Sequence, residues 1–292
     1  MATTWNPIVA GVDASLEGAT AATLACAVAR SAKASCHLVH AVRDQAAETA
    51  GLVREVLLGS VPASLLDRLD VRVGRPTAVL SQVAAQYGAE SIVVGGKHHS
   101  ALGRWLAGGT VHDLLRTSPV PVLVAGPELR IPRRILAAVD LSDAARPTLH
   151  WAQRYAALFG AELLVMHVVE AVPLLPESTV VPSHALQPEA IFERSETLFE
   201  ESVWPLVHYP RADRLLRRGT VPGTIRDQVA TWKADLLVVG SHGKGFVNRL
   251  LLGSTTQRLA DDLPTSVLVV PGVVPARRAE RAADWAAQMA HA

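Results

Sequence analysis

Short apolar runs recur along the chain and alternate with longer Ala-rich stretches of helical periodicity. The runs lie at about 8–12, 36–42, 69–73, 91–95, 121–125, 134–139, 162–169, 213–218, 235–239 and 266–270. Most of them are apolar throughout, which is typical of parallel strands covered on both faces. We predict helices between them, for example at 16–33 and 143–159. Right-handed crossovers then give a doubly wound sheet.

The apolar runs fall into two groups of five because the sequence repeats itself. Residues 8–15 resemble residues 135–142, at a shift of 127 residues. Residues 92–95 resemble residues 237–240 at a shift of 145, so the second copy has about 18 extra residues, between roughly 169 and 212. We therefore predict an α/β protein with two tandem doubly wound domains, each built on a five-stranded parallel sheet.

The repeat also suggests where the domains begin and end. We place the first domain at residues 1–126 and the second at 133–272, with a linker at 126–132. Residues 273–292 are expected to form a C-terminal helical tail. The extra residues of the second copy are interpreted as a Pro-rich loop over the sheet edge, followed by a helix at about 187–204.

Composition narrows the classes of function. The 28 Lys and Arg residues nearly balance the 27 Asp and Glu residues, so no basic surface for nucleic acid is indicated. No apolar run approaches the roughly 20 residues of a membrane span, and the N-terminus lacks a signal-peptide pattern. Cys26 and Cys36 are too few for a disulfide framework, which favours a reducing compartment. We expect a cytoplasmic protein that binds neither nucleic acid nor membrane.

Asp140 follows the first strand of the second copy, at the edge of the sheet where doubly wound folds bind their ligands. Its carboxylate can accept a hydrogen bond from a ribose or an adenine. The alternative is purely structural, because Ser142 or Asp143 can cap the helix that follows. The residues alone leave both interpretations open.

Two glycine-containing segments follow the fourth strand of the second copy. Residues 240–243 come directly after the strand, and residues 253–255 begin the next helical pattern. Glycines let backbone N–H groups approach phosphate oxygens, and a helix N-terminus attracts anions. Lys244 and Arg249 add positive charge nearby. The alternative is two ordinary glycine turns, one of them with a Ser/Thr helix cap.

The spacing G-x2-G-x9-G-[S/T] resembles the ATP-binding motif of the universal stress protein family. Gly240, Gly243 and the pair Gly253–Ser254 fill this motif without a mismatch. The similarity extends over nearly the whole chain. It implies a cytoplasmic, ATP-binding regulatory protein of the adenine-nucleotide α-hydrolase-like fold, in which Mg²⁺ commonly accompanies the phosphates.

The resemblance also implies which residues contact the nucleotide. Adenine is expected near Ala138, Val139, Asp140 and Val168. Phosphates are expected near Gly240, His242, Gly243, Gly253, Ser254 and Thr255. We expect no catalytic residue and no metal site formed by protein side chains. Any ATP hydrolysis should therefore be slow.

The first copy departs from the motif. Gly95 is retained, but His98 replaces the second glycine, and the distal pair is Gly108–Gly109, with Thr110 after it, so that the serine of the motif is lost. A histidine places a Cβ and a ring where the backbone should approach phosphate. Although Asp13 is retained, we expect the first copy to bind nucleotide weakly or not at all.

The histidines of the chain invite other interpretations. His98, His99 and His112 could suggest a metal site, but adjacent His side chains point in different directions and no Cys or carboxylate stands at ligand spacing. A solvated polar loop is favoured. His40 and His167 end the second strand of each copy, and a position shared by both copies favours a structural role over a catalytic one.

Three classes of function compete. The first is an ATP-binding sensor or regulator that acts through an unidentified regulatory protein partner. The second is an enzyme on the same fold. Three absences argue against it: the chain has no Ser-Gly-Gly phosphate loop in its first βα loops, no GxGxxG motif after the first strand and no GxxxxGK[ST] motif. The third is a nucleotide-free interaction or scaffold protein in which the glycines are vestigial.

The last strand of each copy, at 120–124 and 266–270, is rich in β-branched residues. In the family that the chain resembles, this strand pairs with its counterpart in a dimer. A tandem chain can satisfy that pairing internally as a pseudo-dimer, which would also cover an exposed sheet edge. The sequence leaves a further homodimer open.

Overall fold

A computed structural model describes residues 5–43, 47–96, 110–170, 188–241, 253–261 and 265–272. The strands are β1 (Ile8–Gly11), β2 (Cys36–Val42), β3 (Asp70–Val73), β4 (Ser91–Gly95), β5 (Val122–Ala125), β6 (Arg134–Ala138), β7 (Glu162–Val169), β8 (Ala212–Arg218), β9 (Leu236–Gly240) and β10 (Ser266–Val270). The helices are α1 (Leu16–Ala32), α2 (Ala47–Leu57), α3 (Ala63–Leu66), α4 (Pro76–Gln86), α5 (Thr110–Thr117), α6 (Ala145–Phe159), α7 (Pro188–Leu198), α8 (Val221–Trp232) and α9 (Ser254–Asp261).

All of these strands lie in one sheet. Its order is β3-β2-β1-β4-β5-β10-β9-β6-β7-β8. Neighbouring strands are parallel within each half, and β1 and β6 each lie between the second and fourth strands of their own half. This order confirms the predicted α/β fold with two doubly wound, five-stranded repeats.

The two halves meet through an antiparallel contact between β5 and β10. Val124 pairs with Val267 and Val122 with Val269, and the backbone N–H of Gly126 donates to Ser266 Oγ at 3.1 Å. The last strand of each repeat therefore covers the edge of the other. This is the internal pairing that the sequence predicts.

Helices cover both faces of the sheet. One hydrophobic cluster lies on the face covered by α1 and α6, and the other lies beneath α4, α5, α8 and α9. Each cluster contains buried residues from both halves, so both halves share the core on each face. Among the described residues, no helix is both long enough and apolar enough to cross a membrane.

The ends of the helices follow from local hydrogen bonding. Ser15 caps α1 by accepting a hydrogen bond from the backbone N–H of Gly18 at 3.0 Å, and Lys33 ends the helix in a left-handed conformation. The helix predicted to start at residue 143 begins later, at Ala145. Asp140 and Ser142 instead hold the chain in a turn before the helix, as described below.

The extra residues of the second copy are only partly described. The predicted helix at 187–204 is present as α7, which continues into a π-helical turn at Phe199–Val203 and a 3₁₀ turn at Trp204–Leu206. Residues 171–187, where we expect the Pro-rich loop, lie outside the described residues, as does most of the expected tail at 273–292.

A buried ion pair joins the two halves away from the strand contact. Arg154 on α6 donates to the carboxylate of Glu90, which precedes β4, at 2.6 Å. The other carboxylate oxygen accepts from the backbone N–H of Asn6 at 2.9 Å. The guanidinium of Arg154 also lies 4.5 Å from the ring centre of Trp5 and 4.9 Å from that of Trp151. Both oxygens of the Glu90 carboxylate therefore have partners, whereas Nε and Nη2 of Arg154 are buried without a hydrogen-bond partner among the described residues.

We predict that Arg154→Ala lowers the free energy of unfolding by about 3 kcal/mol, because it leaves the Glu90 carboxylate buried without its partner. The matched control is Arg116→Ala, which breaks an exposed ion pair with Asp113 on α5 and should cost less than about 1 kcal/mol. Urea unfolding of both variants measures the difference. Equal losses would show that the buried pair does not couple the halves.

Candidate functional site

A cavity of about 440 Å³ opens at the carboxyl ends of β6, β7 and β9. Eight of the ten residues expected to contact nucleotide line this cavity: Ala138, Val139, Asp140, Val168, Gly240, Gly253, Ser254 and Thr255. The other two, His242 and Gly243, lie outside the described residues. The fold thus brings residues that are more than 100 positions apart in the sequence into one cavity at the carboxyl ends of these strands.

Asp140 both lines the cavity and shapes the loop after β6. Its Oδ1 accepts hydrogen bonds from the backbone N–H of Ser142 at 3.1 Å and from Ser142 Oγ at 2.6 Å. The Ser142 hydroxyl oxygen in turn accepts from the backbone N–H of Ala144 at 3.2 Å. The predicted capping of the helix by Ser142 or Asp143 is not found, because Ala144 is the N-cap residue of α6 and no side chain caps it. The Asp140 carboxylate instead holds the turn before the helix and lies in the wall of the cavity.

Two buried histidines hold the ends of β1 and β6 in place. His167 Nδ1 donates to the Val139 carbonyl at 2.9 Å, and His40 Nδ1 makes the equivalent bond to the Val12 carbonyl at 2.8 Å. Each bond fixes the residue that immediately precedes the aspartate of its copy. The equal geometry in both halves supports a structural role for these histidines.

The end of β9 and the start of α9 are tied together at the opposite wall of the cavity. Thr256 Oγ1 donates to the Gly240 carbonyl at 2.8 Å, and the Gly253 N–H donates to the Ser241 carbonyl at 2.9 Å. The first N–H groups of a helix have no acceptor within the helix, and its N-terminus carries partial positive charge. Because Ser254 and Thr255 line the cavity, this anion-attracting end of α9 forms part of its wall.

The cavity therefore combines two kinds of surface. One wall is apolar and contains Ala138, Val139 and Val168, which suits a flat ring system. The other carries glycine backbone, hydroxyl groups and a helix N-terminus, which suit phosphate. The described residues thus fit both ends of an adenine nucleotide.

Sequence reasoning missed one side of this cavity. Ile191 and Ser195, both on α7, also line it. Helix α7 lies between the second and third strands of its half, as α2 does in the first half, but α2 contributes none of the described residues that line the first cavity. No simple motif marks these side chains, because their place depends on how α7 packs beside β7.

The first half contains an equivalent cavity of about 370 Å³. Its lining includes the retained residues Asp13, His40, Gly95 and Thr110. His112 also lies there, whereas His98, His99 and the Gly108–Gly109 pair lie outside the described residues. Across the described parts of the chain, no three or more His, Cys, Asp or Glu side chains gather into a metal-binding group.

The two cavities differ where the helix after the first strand begins. In the repeat register, α1 starts two residues earlier than α6, so Glu17 occupies the position of Ala144. The first turn of α1 lies against Gly95: a Cβ there would come within 2.5 Å of the Glu17 carbonyl oxygen and 2.8 Å of the Glu17 Cβ. An acidic residue therefore lies beside the glycine that matches Gly240.

Comparison with known proteins agrees with this fold. A sequence profile described as the universal stress protein family matches residues 4–126 and, separately, residues 132–271. The chain is 30% identical over 216 residues to a universal stress protein of Mycolicibacterium smegmatis, covering 69% of this chain and 68% of that protein. A universal stress protein of Mycobacterium tuberculosis is 26% identical over 291 residues, covering 90% and 96%.

A solved structure shows the same fold over nearly the whole chain. It is a universal stress protein from Archaeoglobus fulgidus, with a TM-score of 0.61 and 18% sequence identity. The superposition covers 93% of this chain and 98% of that one. At this identity, the similarity concerns the fold alone.

We predict that Thr256→Val lowers the free energy of unfolding by about 1 kcal/mol, because it removes the hydrogen bond that holds α9 to the end of β9. The matched control is Thr197→Val on α7, whose hydroxyl makes an exposed bond within its own helix and should cost about 0.5 kcal/mol or less. Urea unfolding compares the two. If the Thr256 variant is as stable as its control, the hydrogen bond between Thr256 and the Gly240 carbonyl does not contribute measurably to the free energy of unfolding.

Proposed function

The chain belongs to the universal stress protein family, and we propose that it is an ATP-binding stress-response regulator or sensor whose nucleotide occupies the second cavity. One observation carries the proposal: residues from three separate loops of the second half line a single cavity with an apolar wall and a phosphate-compatible wall. The proposal rests on this arrangement together with the G-x2-G-x9-G-S motif that contributes to it.

In the proposed complex, adenine packs against Ala138, Val139 and Val168, and Asp140 accepts a hydrogen bond from the base or the ribose. The phosphates lie at Gly240 and at the start of α9, where Ser254 and Thr255 supply hydroxyl donors and free backbone N–H groups. His242 and Gly243 complete the motif in the sequence. Mg²⁺ would accompany the phosphates and offset part of their charge.

The first half is proposed to hold nucleotide weakly or not at all. Glu17 packs against Gly95 through its carbonyl group and Cβ and adds an acidic residue to the lining of the first cavity, where the second half has Ala144. Two unit charges of the same sign about 4 Å apart repel by about 1 kcal/mol even in bulk water, and by more near a protein surface. The altered glycine motif, with His98 in place of the second glycine, acts in the same direction.

Binding, and not turnover, is the proposed activity. One oxygen of Asp140 already accepts two hydrogen bonds from Ser142, so this carboxylate positions the loop more readily than it activates water. We propose that the bound state is transmitted to an unidentified regulatory protein in the cytoplasm.

We predict that Ala144→Glu weakens ATP binding at least about fivefold, the factor that corresponds to about 1 kcal/mol of charge repulsion. The matched control is Ala144→Gln, which has nearly the same size and no charge and should change the affinity far less. Titration calorimetry at low and moderate salt measures both, and the difference between them should shrink as salt screens the charge.

Equal weakening by Glu and Gln would show that the effect is steric and would remove the charge argument. Failure of the unaltered protein to bind ATP, with no rise in its melting temperature, would refute the proposed function. The nucleotide-free interaction protein would then be the better interpretation.

A further inference from the structure

Helix α7 forms one side of the second cavity. Ile191 and Ser195 both line the cavity and are four residues apart, so they lie on the same face of the helix. One turn farther on, Phe199 is fully buried and stacks on His167, with the two ring centres 6.5 Å apart. Phe199 also begins the π-helical turn that follows α7, a feature that is frequent at functional sites. The buried Phe199 ring therefore anchors the end of α7 and turns Ile191 and Ser195 towards the cavity.

The rest of α7 is only lightly attached to the protein. No residue of α7 is buried, and Ile191 and Ser195 are themselves partly exposed. Glu189 forms an ion pair with Arg218 on β8 at 3.2 Å, and the Arg218 guanidinium lies 4.7 Å from the ring centre of Phe192. Exposed ion pairs contribute little to stability. A ligand that touches the inner face of α7 therefore adds contacts to a weakly held helix.

The order of the strands shows which end of the cavity α7 faces. The phosphate-compatible wall is at the end of β9, where Thr256 ties the start of α9 to Gly240. Helix α7 packs beside β7, and β6 lies between β7 and β9. Neighbouring strands are about 4.8 Å apart, so β7 and β9 are roughly 10 Å apart. Ile191 and Ser195 therefore lie away from the phosphate-compatible wall, on the same side of the cavity as Val168 of β7.

This side of the cavity distinguishes the second half from the first. Helix α2 occupies the matching place in the first half, between the second and third strands, but it contributes none of the described residues that line the first cavity. The side formed by Ile191 and Ser195 therefore belongs to the half that also retains the G-x2-G-x9-G-S motif.

We propose that Ile191 and Ser195 are nucleoside-contacting residues, through which α7 encloses the base and ribose of an adenine nucleotide in the second cavity. Ile191 extends the apolar surface offered to the base, and the Ser195 hydroxyl can both donate and accept a hydrogen bond. The inference rests on the proposed binding of ATP. It adds that the nucleoside and the phosphates are recognised by separate elements, α7 at one end of the cavity and α9 at the other.

The test uses the full-length chain with both contacts removed, as the double variant Ile191→Ala and Ser195→Ala. The matched control is Thr197→Ala, which shortens an exposed side chain on the same helix. Calorimetry measures ATP binding directly, and it measures adenosine and inorganic triphosphate by competition with ATP. We expect the double variant to bind ATP and adenosine at least about fivefold more weakly, because apolar contact with the nucleoside is lost. Its affinity for triphosphate, and all three affinities of the control, should stay unchanged.

This pattern separates a contact with the nucleoside from a general structural role. Equal weakening of ATP, adenosine and triphosphate would show that α7 only supports the cavity. Unchanged ATP affinity in the double variant would show that α7 does not touch the ligand. Either result overturns the inference and leaves the binding of ATP by the unaltered protein intact. Absence of ATP binding to the unaltered protein would instead refute the proposed function, and the inference with it.

Hydrogen exchange of the unaltered protein gives a second measurement that does not depend on the folding of a variant. Saturating ATP should slow exchange of the α7 backbone amides at least about fivefold, because opening of the helix must first break its contacts with the ligand. Saturating inorganic triphosphate should leave exchange in α7 unchanged. If exchange in α7 is the same with and without bound ATP, the helix does not contact the nucleoside and the inference is wrong.

Discussion

The antiparallel pairing of β5 with β10 determines the arrangement of the whole chain. Each repeat builds a parallel sheet that ends in a strand with one unpaired edge, and such an edge is open to association. Pairing the two edges joins the repeats into one sheet. Because this contact is antiparallel, the strands of the two halves run in opposite directions. The carboxyl ends of the strands in one half therefore point away from those in the other half. As a result, the two cavities lie at opposite ends of the strands.

Helix α9 contributes residues to both cavities. Ser254 and Thr255 at its start line the second cavity, whereas Ala260 near its end lines the first. The repeats thus share hydrophobic clusters, an ion pair and a helix, and yet their cavities differ. The difference is local: a two-residue change in where a helix begins brings Glu17 against Gly95, whereas the second half has Ala144 at that position.

The sequence predicts the fold well for two reasons. The buried strands are apolar throughout, and each strand predicted in one copy can be compared with the matching segment of the other copy. For example, the sequence predicts a strand at 162–169, and β7 spans Glu162–Val169. Propensity did not reveal the late start of α6, because that start depends on hydrogen bonds among Asp140, Ser142 and Ala144. The contribution of α7 to the second cavity is also beyond prediction, because its counterpart α2 in the first half contributes no described residue to the lining of the first cavity.

The central claim is that only the second half of the chain retains nucleotide, and a count of bound nucleotide tests it most directly. The protein is saturated with ATP, freed of unbound ligand and denatured, and the released nucleotide is identified and quantified by mass spectrometry. The account predicts about one ATP per chain, accompanied by a rise in melting temperature on binding. About two per chain would contradict the proposed asymmetry, and none would contradict ATP binding itself.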